Sequence, residues 1–452
     1  MTNSVTKNEI LFGRRKFRRK ATVNLTLKSI ILVEYLYICI LDETNQLQIR
    51  MKLLILALFI GLTPAVLAQQ GLWTAQLHRG DGAIIPFAFE WKTEKGKPVW
   101  YIHNAAENIR VDNITATGDS LLVQMPVFES QFRLQYSNKK LTGVWLKGGS
   151  VKTQVITFSA QQSNKRFAAN AATTKNVSGR WSVIFANNKP NELSVAELKQ
   201  NGNKLTGTFL NPTGDYRYLE GIVANDSLFL SCFDGGHAFL ITAKIDNHTK
   251  ISGGTFYSGA LYKEAWSGVK DPAAKVTAAT VAMYAKPGQE KLHFTFKNLE
   301  GQAVSIDDAK FKNKVVVIQL MGSWCPNCMD ETAFLSSYYK NNKQRGVEII
   351  ALAYEYSTDW NRSVKSLQKF QQRFNVQYSI LNTGVTVTDS LRTEKTLPEL
   401  TPIKFFPSSV ILDKKGKIRK LDTGFNGPAT GEHYVSYKKE FEETINKLLL
   451  EN

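Results

Sequence analysis

The sequence predicts a multi-domain chain, with an α/β domain at its C-terminal end and a duplicated antiparallel all-β region before it. Three observations carry this reading. From about residue 286, apolar strand-like runs alternate with stretches of helical period. Residues 71–272 instead hold short alternating runs separated by Asn, Asp and Gly. That β-rich stretch also repeats itself, since Gly71-Leu72-Trp73 returns as Gly179-Arg180-Trp181, 108 residues on. A chain of 452 residues is long for one ordinary domain. Its 43% hydrophobic and 21% charged residues are globular, neither disordered nor fibrous.

At the start of the chain, Lys52 precedes the apolar run Leu53–Leu62, which closes on small residues with Val66 and Ala68 at minus three and minus one. This is the pattern of a Sec signal peptide over 51–68, cleaved after Ala68. The run is short for a membrane span, and no cysteine follows it to take a lipid. Met51 is therefore expected to be the true start, with residues 1–50 an extension of the gene model. The rival reading takes Arg14-Arg15-Lys16-Phe17 as the basic region and Ile30–Leu41 as the apolar one. Glu34 interrupts that segment and no small-residue cleavage site follows it. Export places the protein in the periplasm or cell envelope, an oxidising compartment. The formal net charge of +18 comes without a basic stripe interleaved with aromatics or zinc-finger spacing, so no nucleic-acid partner is expected.

The β-rich region divides into unit 1 (71–175) and unit 2 (176–272). Asp119-Ser120-Leu121 aligns with Asp226-Ser227-Leu228, and Leu141-Thr142-Gly143 with Ile251-Ser252-Gly253. Slowly drifting offsets near 108 mark duplicated domains with short loop indels. Runs such as Leu121–Met125, Phe132–Tyr136, Leu228–Cys232 and Phe239–Ala243 predict strands with one buried face, built into sandwiches or small barrels. Trp73 and Trp181 are expected in the core. His78, His103, His237 and His248 lack metal-ligand spacing and no metal is expected. Cys232, in a predicted strand, reads as a buried inert thiol. Residues 273–285 read as a linker whose Ala-rich middle can hold an edge strand.

In the α/β domain, Val315–Leu320 is a continuous apolar run, as for a strand buried on both faces. A short turn leads to Cys325-Pro326-Asn327-Cys328, and a helix is expected over Met329–Lys340. Val347–Tyr354 is a second strand. Trp360, Val364, Leu367, Phe370 and Phe374 recur at helical spacing, with Thr358 as the expected N-cap. Residues 376–404 are expected to hold a strand and a short helix. Val410–Leu412 and Lys417–Asp422 are further strands, and Glu432–Leu450 is a closing helix.

A CxxC pair between a strand and a helix is where thiol chemistry wants it. Unpaired N–H groups and partial positive charge at the helix N-terminus stabilise a thiolate at Cys325. Two intervening residues let the sulfurs close a small, reducible ring. Pro326 suits the first turn, where its missing N–H costs nothing. With no second Cys or His pair nearby, half a zinc site is a poor account of the motif.

Gly322-Ser323-Trp324-Cys325-Pro326-Asn327-Cys328-Met329-Asp330-Glu331 and Phe406-Pro407-Ser408-Ser409-Val410-Ile411-Leu412-Asp413-Lys414-Lys415-Gly416 together resemble the TlpA/ResA-like branch of thioredoxin-fold thiol–disulfide oxidoreductases, within the AhpC/TSA–redoxin superfamily. The resemblance covers about residues 286–452 and implies a thioredoxin-like fold there. It implies Cys325 as attacking nucleophile, Cys328 as resolving cysteine, and Glu331 as a buried acid that assists proton transfer, with Asp330 the weaker rival. Pro407 would be cis, and Phe406 and Trp324 would flank the substrate. Ser408 stands where Thr is usual. Thr396–Glu399 is expected to form part of the substrate-facing rim.

The expected function is an exported thiol–disulfide oxidoreductase reducing disulfides of envelope proteins, with no cofactor. Its partners would be exported disulfide-bearing clients and a membrane-linked or periplasmic thiol donor. Two alternatives stand beside it. A peroxiredoxin-type thiol peroxidase needs P-x-x-x-T/S-x-x-C, but Ile318 and Gly322 fill those places before Cys325, and Met321 and Cys325 before Cys328. A β-domain binding a ligand or client, with the redox domain subsidiary, is the other.

Overall fold

The computed structural model describes residues 69–168, 173–187, 192–277 and 282–451. The expected signal peptide (51–68) and the expected extension (1–50) lie outside these residues.

The first β unit is a meander of nine strands, from Gly71–His78 to Gln154–Gln162, and the last strand pairs back onto the first. Its two sheet ends, Glu107–Val111 and Asn113–Thr117, flank Asp112 without pairing, so the ring stays open there. The second unit runs from Gly179–Phe185 to Tyr262–Lys270. Here the last strand again pairs with the first, and Ser194–Asn201 also pairs with Lys204–Asn211. Eight strands thus close into a barrel, with the short strand Gly214–Asp215 appended. Of the two expected architectures, the second unit forms a closed small barrel and the first a barrel-like ring open at one seam.

Alternation explains the interiors. In Gly179–Phe185, Trp181, Val183 and Phe185 are buried while Ser182 and Ile184 point outward. The duplication extends to fine detail. Gly71 and Gly179 both sit at positive φ, +126° and +119°, a backbone that favours glycine. Trp73 and Trp181, both fully buried, each donate from Nε1 to the carbonyl four residues earlier, Gln69 and Val177. The interior of the first unit is filled by side chains, among them Trp91, Trp100, Phe132 and Trp145.

The two units share this core. Phe233 of the second unit stacks on Phe87 of the first, ring centroids 4.2 Å apart. The Asn104 side chain pairs with the Phe233 backbone through bonds of 2.9 and 3.1 Å. Buried Arg166 donates to Ser231 Oγ at 3.2 Å and to the His103 carbonyl.

The α/β domain contains β1 (Thr295–Asn298), β2 (Ala303–Ser305), β3 (Val315–Met321), α1 (Pro326–Asn342), β4 (Val347–Ala353), α2 (Trp360–Phe374), β5 (Ser379–Asn382), α3 (Arg392–Thr396), β6 (Ser408–Leu412), β7 (Ile418–Thr423) and α4 (Glu432–Leu450). The sheet order is β2-β1-β5-β4-β3-β6-β7. β3, β4 and β5 are parallel and β6 runs against β3. Every residue of β3 is buried. Val315, Val317 and Met321 join the apolar cluster of α1, α2 and α4, whereas Val316, Ile318 and Leu320 pack with Leu292, Phe294 and Leu400 on the other face.

Several expectations need correction. Helix α1 starts at Pro326 rather than Met329, because Cys325 itself serves as N-cap. Asp359, not Thr358, caps α2, accepting from the Arg362 N–H at 2.7 Å. Thr396–Glu399 is no substrate-facing rim: Thr396, Leu397 and Glu399 are buried, and Thr396 Oγ1 bonds Tyr354 Oη at 2.7 Å. The linker is docked rather than free, since Ala274 packs on Val195 and Leu210 and Met283 is buried. Its described part shows a single bridge, Ala285 to Leu400, and no longer strand.

Phe233 fills the seam between the barrels, so Phe233→Ala is expected to cost ~3–5 kcal/mol in chemical denaturation. A loss under ~1 kcal/mol would contradict the shared core, given the usual cost of emptying an aromatic site.

Candidate functional site

Strand register sets the site. Leu320 of β3 lies opposite Ser408 of β6, so the turn after β3 meets the residues before β6. The Phe406–Pro407 peptide is cis, as the resemblance implies. Cys325 and Cys328 are disulfide-bonded with Cα atoms 5.2 Å apart. The Cys328 N–H donates to Cys325 Sγ at 3.2 Å, and that sulfur lies 3.6 Å from the Phe406 carbonyl oxygen. Trp324 donates from Nε1 to the Tyr354 carbonyl at 2.8 Å and meets the Phe406 ring edge-on at 5.8 Å. Gly322 is required here because a Cβ would run into the Trp324 indole.

Glu331 follows Cys328 by three residues, which places both on one face of α1. Its carboxylate accepts from Gln319 Nε2 at 2.8 Å. Burial pushes its pKa up to about 8, the Gln319 bond pulling modestly the other way. All six residues singled out by sequence therefore converge: Cys325, Cys328, Trp324, Phe406 and Pro407 around the sulfurs, Glu331 in the buried layer beneath.

A second acid was missed. Glu355, just past β4, accepts from the Ser323 N–H at 2.8 Å and from Ser323 Oγ at 2.6 Å. Burial raises it to about 7. Only the pairing of β3 with β4 brings it beside the CxxC turn, so no local signal marks it.

The larger surprise is cover. Cys325 is only 3% exposed and Cys328 fully buried. Val127 and Phe128, from the first barrel, share a buried apolar cluster with both cysteines, Met321, Met329 and the flanking Trp324 and Phe406. Phe128 adopts φ +67°, a strained backbone for a bulky residue. The neighbouring Glu129 holds the segment down. It accepts from Arg362 Nη2 at 2.6 Å and from Ser366 Oγ at 2.9 Å, both on α2.

The second barrel grips the CxxC itself. With its amide oriented so that both atoms are satisfied, buried Asn327 pairs with the Asp215 backbone, donating to its carbonyl at 3.0 Å and accepting from its N–H at 3.1 Å. Arg217 donates to the Pro326 carbonyl at 3.1 Å and forms an ion pair of 2.5 Å with Asp330. Burial raises Asp330 to about 7 against the pull of Arg217. The Asp215 carboxylate accepts from the Gly427 N–H at 2.7 Å.

Elsewhere three of the four histidines singled out have side-chain partners: His78 with Ser159, His103 with Asn108, His237 with Asp234. Cys232 is buried, and loss of solvent pushes its thiol well above the ordinary range, as expected of an inert side chain.

The Redoxin family model matches residues 286–435. Thiol-disulfide oxidoreductase ResA of Halalkalibacterium halodurans is 26% identical over 141 residues, 31% of this chain and 70% of that protein. ResA of Bacillus thuringiensis subsp. konkukian is 27% identical over 154 residues, 34% of this chain and 77% of that protein. A solved structure titled as a putative protein disulfide isomerase from Bacteroides thetaiotaomicron aligns at TM-score 0.29 and 19% identity, over 38% of this chain and 94% of that one. The C-terminal domain is a redoxin domain of the TlpA/ResA-like, thioredoxin-fold kind. Its class is disulfide oxidoreductase, and the Cys325–Cys328 pair is the disulfide at its centre.

The raised Glu331 carries a pH prediction. Folded, it keeps its proton to about 8; its ordinary value is 4.5. The folded state thus binds more protons between those values, and the stability present below pH 4.5 is lost as pH rises toward 8. Glu331→Gln should match the parent near pH 4.5 and exceed it at pH 8 by ~1 kcal/mol or more, each pKa unit being worth about 1.4 kcal/mol. Urea midpoints at the two pH values check this; a difference independent of pH contradicts it.

Proposed function

We propose that this chain is an exported thiol–disulfide reductase acting on disulfides of envelope proteins. The observation that carries the reading is Cys325 Sγ at the N-terminus of α1, receiving the Cys328 N–H and lying against the Phe406 carbonyl beside cis Pro407. A sulfur so placed is stabilised as thiolate by the helix end, and the backbone before Pro407 is positioned to pair with a client's cysteine segment.

In the reduced protein, Cys325 thiolate attacks a client disulfide. A mixed disulfide forms and one client sulfur leaves as thiolate. Cys328, giving its proton to the ionised fraction of Glu331, which grows as pH approaches 8, then attacks Cys325 Sγ. The Cys325–Cys328 bond forms, the second client sulfur leaves, and two electrons have passed to the client. A membrane-linked or periplasmic thiol donor restores the dithiol. The relatives bear the name thiol-disulfide oxidoreductase, which supports the class. Export rests on the Lys52–Ala68 pattern. Phe406 and Trp324 flank the client, and because Cys325 is buried the cover contributed by the β region has to yield for the client to reach it.

A second reading gives the barrels a docking role. A cleft of about 720 Å³ runs from Tyr356, whose ring stacks on Trp324, to exposed Val151, Val155 and Leu261 on the barrels. It would hold part of a client while the sulfurs exchange. The peroxidase motif is missing at both cysteines, so peroxide is not the proposed substrate.

Cys328→Ser should trap mixed disulfides with envelope proteins on non-reducing gels, and Cys325→Ser should trap none. Equal trapping by the two variants, or full activity in Cys325→Ser, contradicts the mechanism.

A further inference from the structure

Arg217 has no place in the cycle above, yet it sits at the redox helix. It comes from the second barrel, where the Asp215 carboxylate accepts its backbone N–H at 2.6 Å and fixes the turn. Its side chain is 3% exposed. The guanidinium touches all three parts of the molecule at once: Glu107 of the first barrel, Asp330 of α1, and the Pro326 carbonyl between the two cysteines. Nothing in barrel packing calls for a buried cation whose reach ends inside the CxxC.

We propose that Arg217 is a positioning residue of the redox pair, a cation supplied by the β region that orients the first turn of α1 and favours the Cys325 thiolate. The physical basis is charge at short range in a dry site. A fixed positive group near a thiolate stabilises it, and burial weakens the screening that solvent would provide. The contact to the Pro326 carbonyl fixes where that charge lies relative to the helix end. Asp330 works against it, as an acid on the same helix paired to the same guanidinium. Glu107, Asp215 and Asp234 also face Arg217, and the phenols of Tyr218 and Tyr434 lie within the field of Asp330. The thiolate thus feels a balance of one cation against several acids, and single substitutions should tip it in opposite directions.

The inference rests on Cys325–Cys328 being the reactive pair, and its test is chosen to stand apart from client reduction. The full chain is reduced, and iodoacetamide labelling of the Cys325 peptide is followed by mass spectrometry from pH 5 to 9. The reduction potential is measured against glutathione. Arg217→Met should leave about tenfold less thiolate at pH 7, one pKa unit upward, with the potential moved to more negative values. Arg217→Lys, which keeps the charge, should restore most of the labelling rate. Asp330→Asn should move the Cys325 profile the other way, to lower pH. An Arg217→Met protein with native circular dichroism and an unshifted profile overturns the proposal. So does a shift of the same sign in Arg217→Met and Asp330→Asn, which is what a merely structural bracket gives. If Arg217→Met does not fold, the Lys and Asp330→Asn proteins decide by the same criteria. Failure to reduce any client, with these shifts intact, would count against the proposed function and not against Arg217.

Discussion

The contact between the first turn of α1 and the two barrels organises the rest of the molecule. On an isolated redox domain, that turn would carry an open sulfur and a free Asn327. Here Asn327 is spent on the Asp215 backbone and the Pro326 carbonyl on Arg217, and Val127 and Phe128 join the apolar cluster that contains Cys325. Taking Arg217, Asp330 and Glu107 out of water is costly. Such a cluster survives only when each charge keeps its partner, and removing one partner of a buried pair costs about 3–5 kcal/mol. The barrels and the redox domain are thereby held in one relative orientation, and that orientation covers the sulfurs.

The acids beneath the site respond to the same dryness. Glu331, Asp330 and Glu355 are all buried and all pushed up, to about 8, 7 and 7. Each therefore holds or releases a proton near neutral pH, where thiol–disulfide exchange needs proton acceptors. They differ in what they touch. Glu331 bonds Gln319 inside the sheet layer on the Cys328 face, Glu355 braces the turn at Ser323, and Asp330 answers to the barrel cation. The first stands one helical turn after Cys328, while the other two hold the turn and the helix start in place.

Much of this was legible in the sequence wherever the signal was local. The strand–Trp-Cys-Pro-x-Cys–helix context located the sulfurs, because periodicity and a short motif encode them, whereas the cis peptide and the role of Glu331 came only from the family resemblance that this motif and the Phe406-Pro407 segment carry. The Gly-x-Trp repeat located two β units because both Trp side chains fill the same structural place. What could not be read is what depends on contacts between distant segments. Arg217 is a lone arginine in a turn, and Glu355 an ordinary acid after a strand. Met125-Pro126-Val127-Phe128 is an apolar loop whose only oddity is that apolar residues stand where a connection should be polar. Thr396 and Glu399 failed as rim residues for the same reason: polar residues after a short helix look exposed until the fold buries them.

In the proposed cycle the β region, which buries the redox centre, has to move for Cys325 to meet a client. Phe128→Gly addresses this most directly, because glycine suits φ +67° and the change removes the side chain without straining the backbone. The measurement is the rate at which a bulky maleimide labels Cys325 in the reduced full chain, parent against Phe128→Gly. The account predicts slow labelling in the parent and a rise of about tenfold or more in the variant, since a buried thiol reacts only through opening. Fast parent labelling at the rate of an exposed thiol, unchanged in Phe128→Gly, would contradict it.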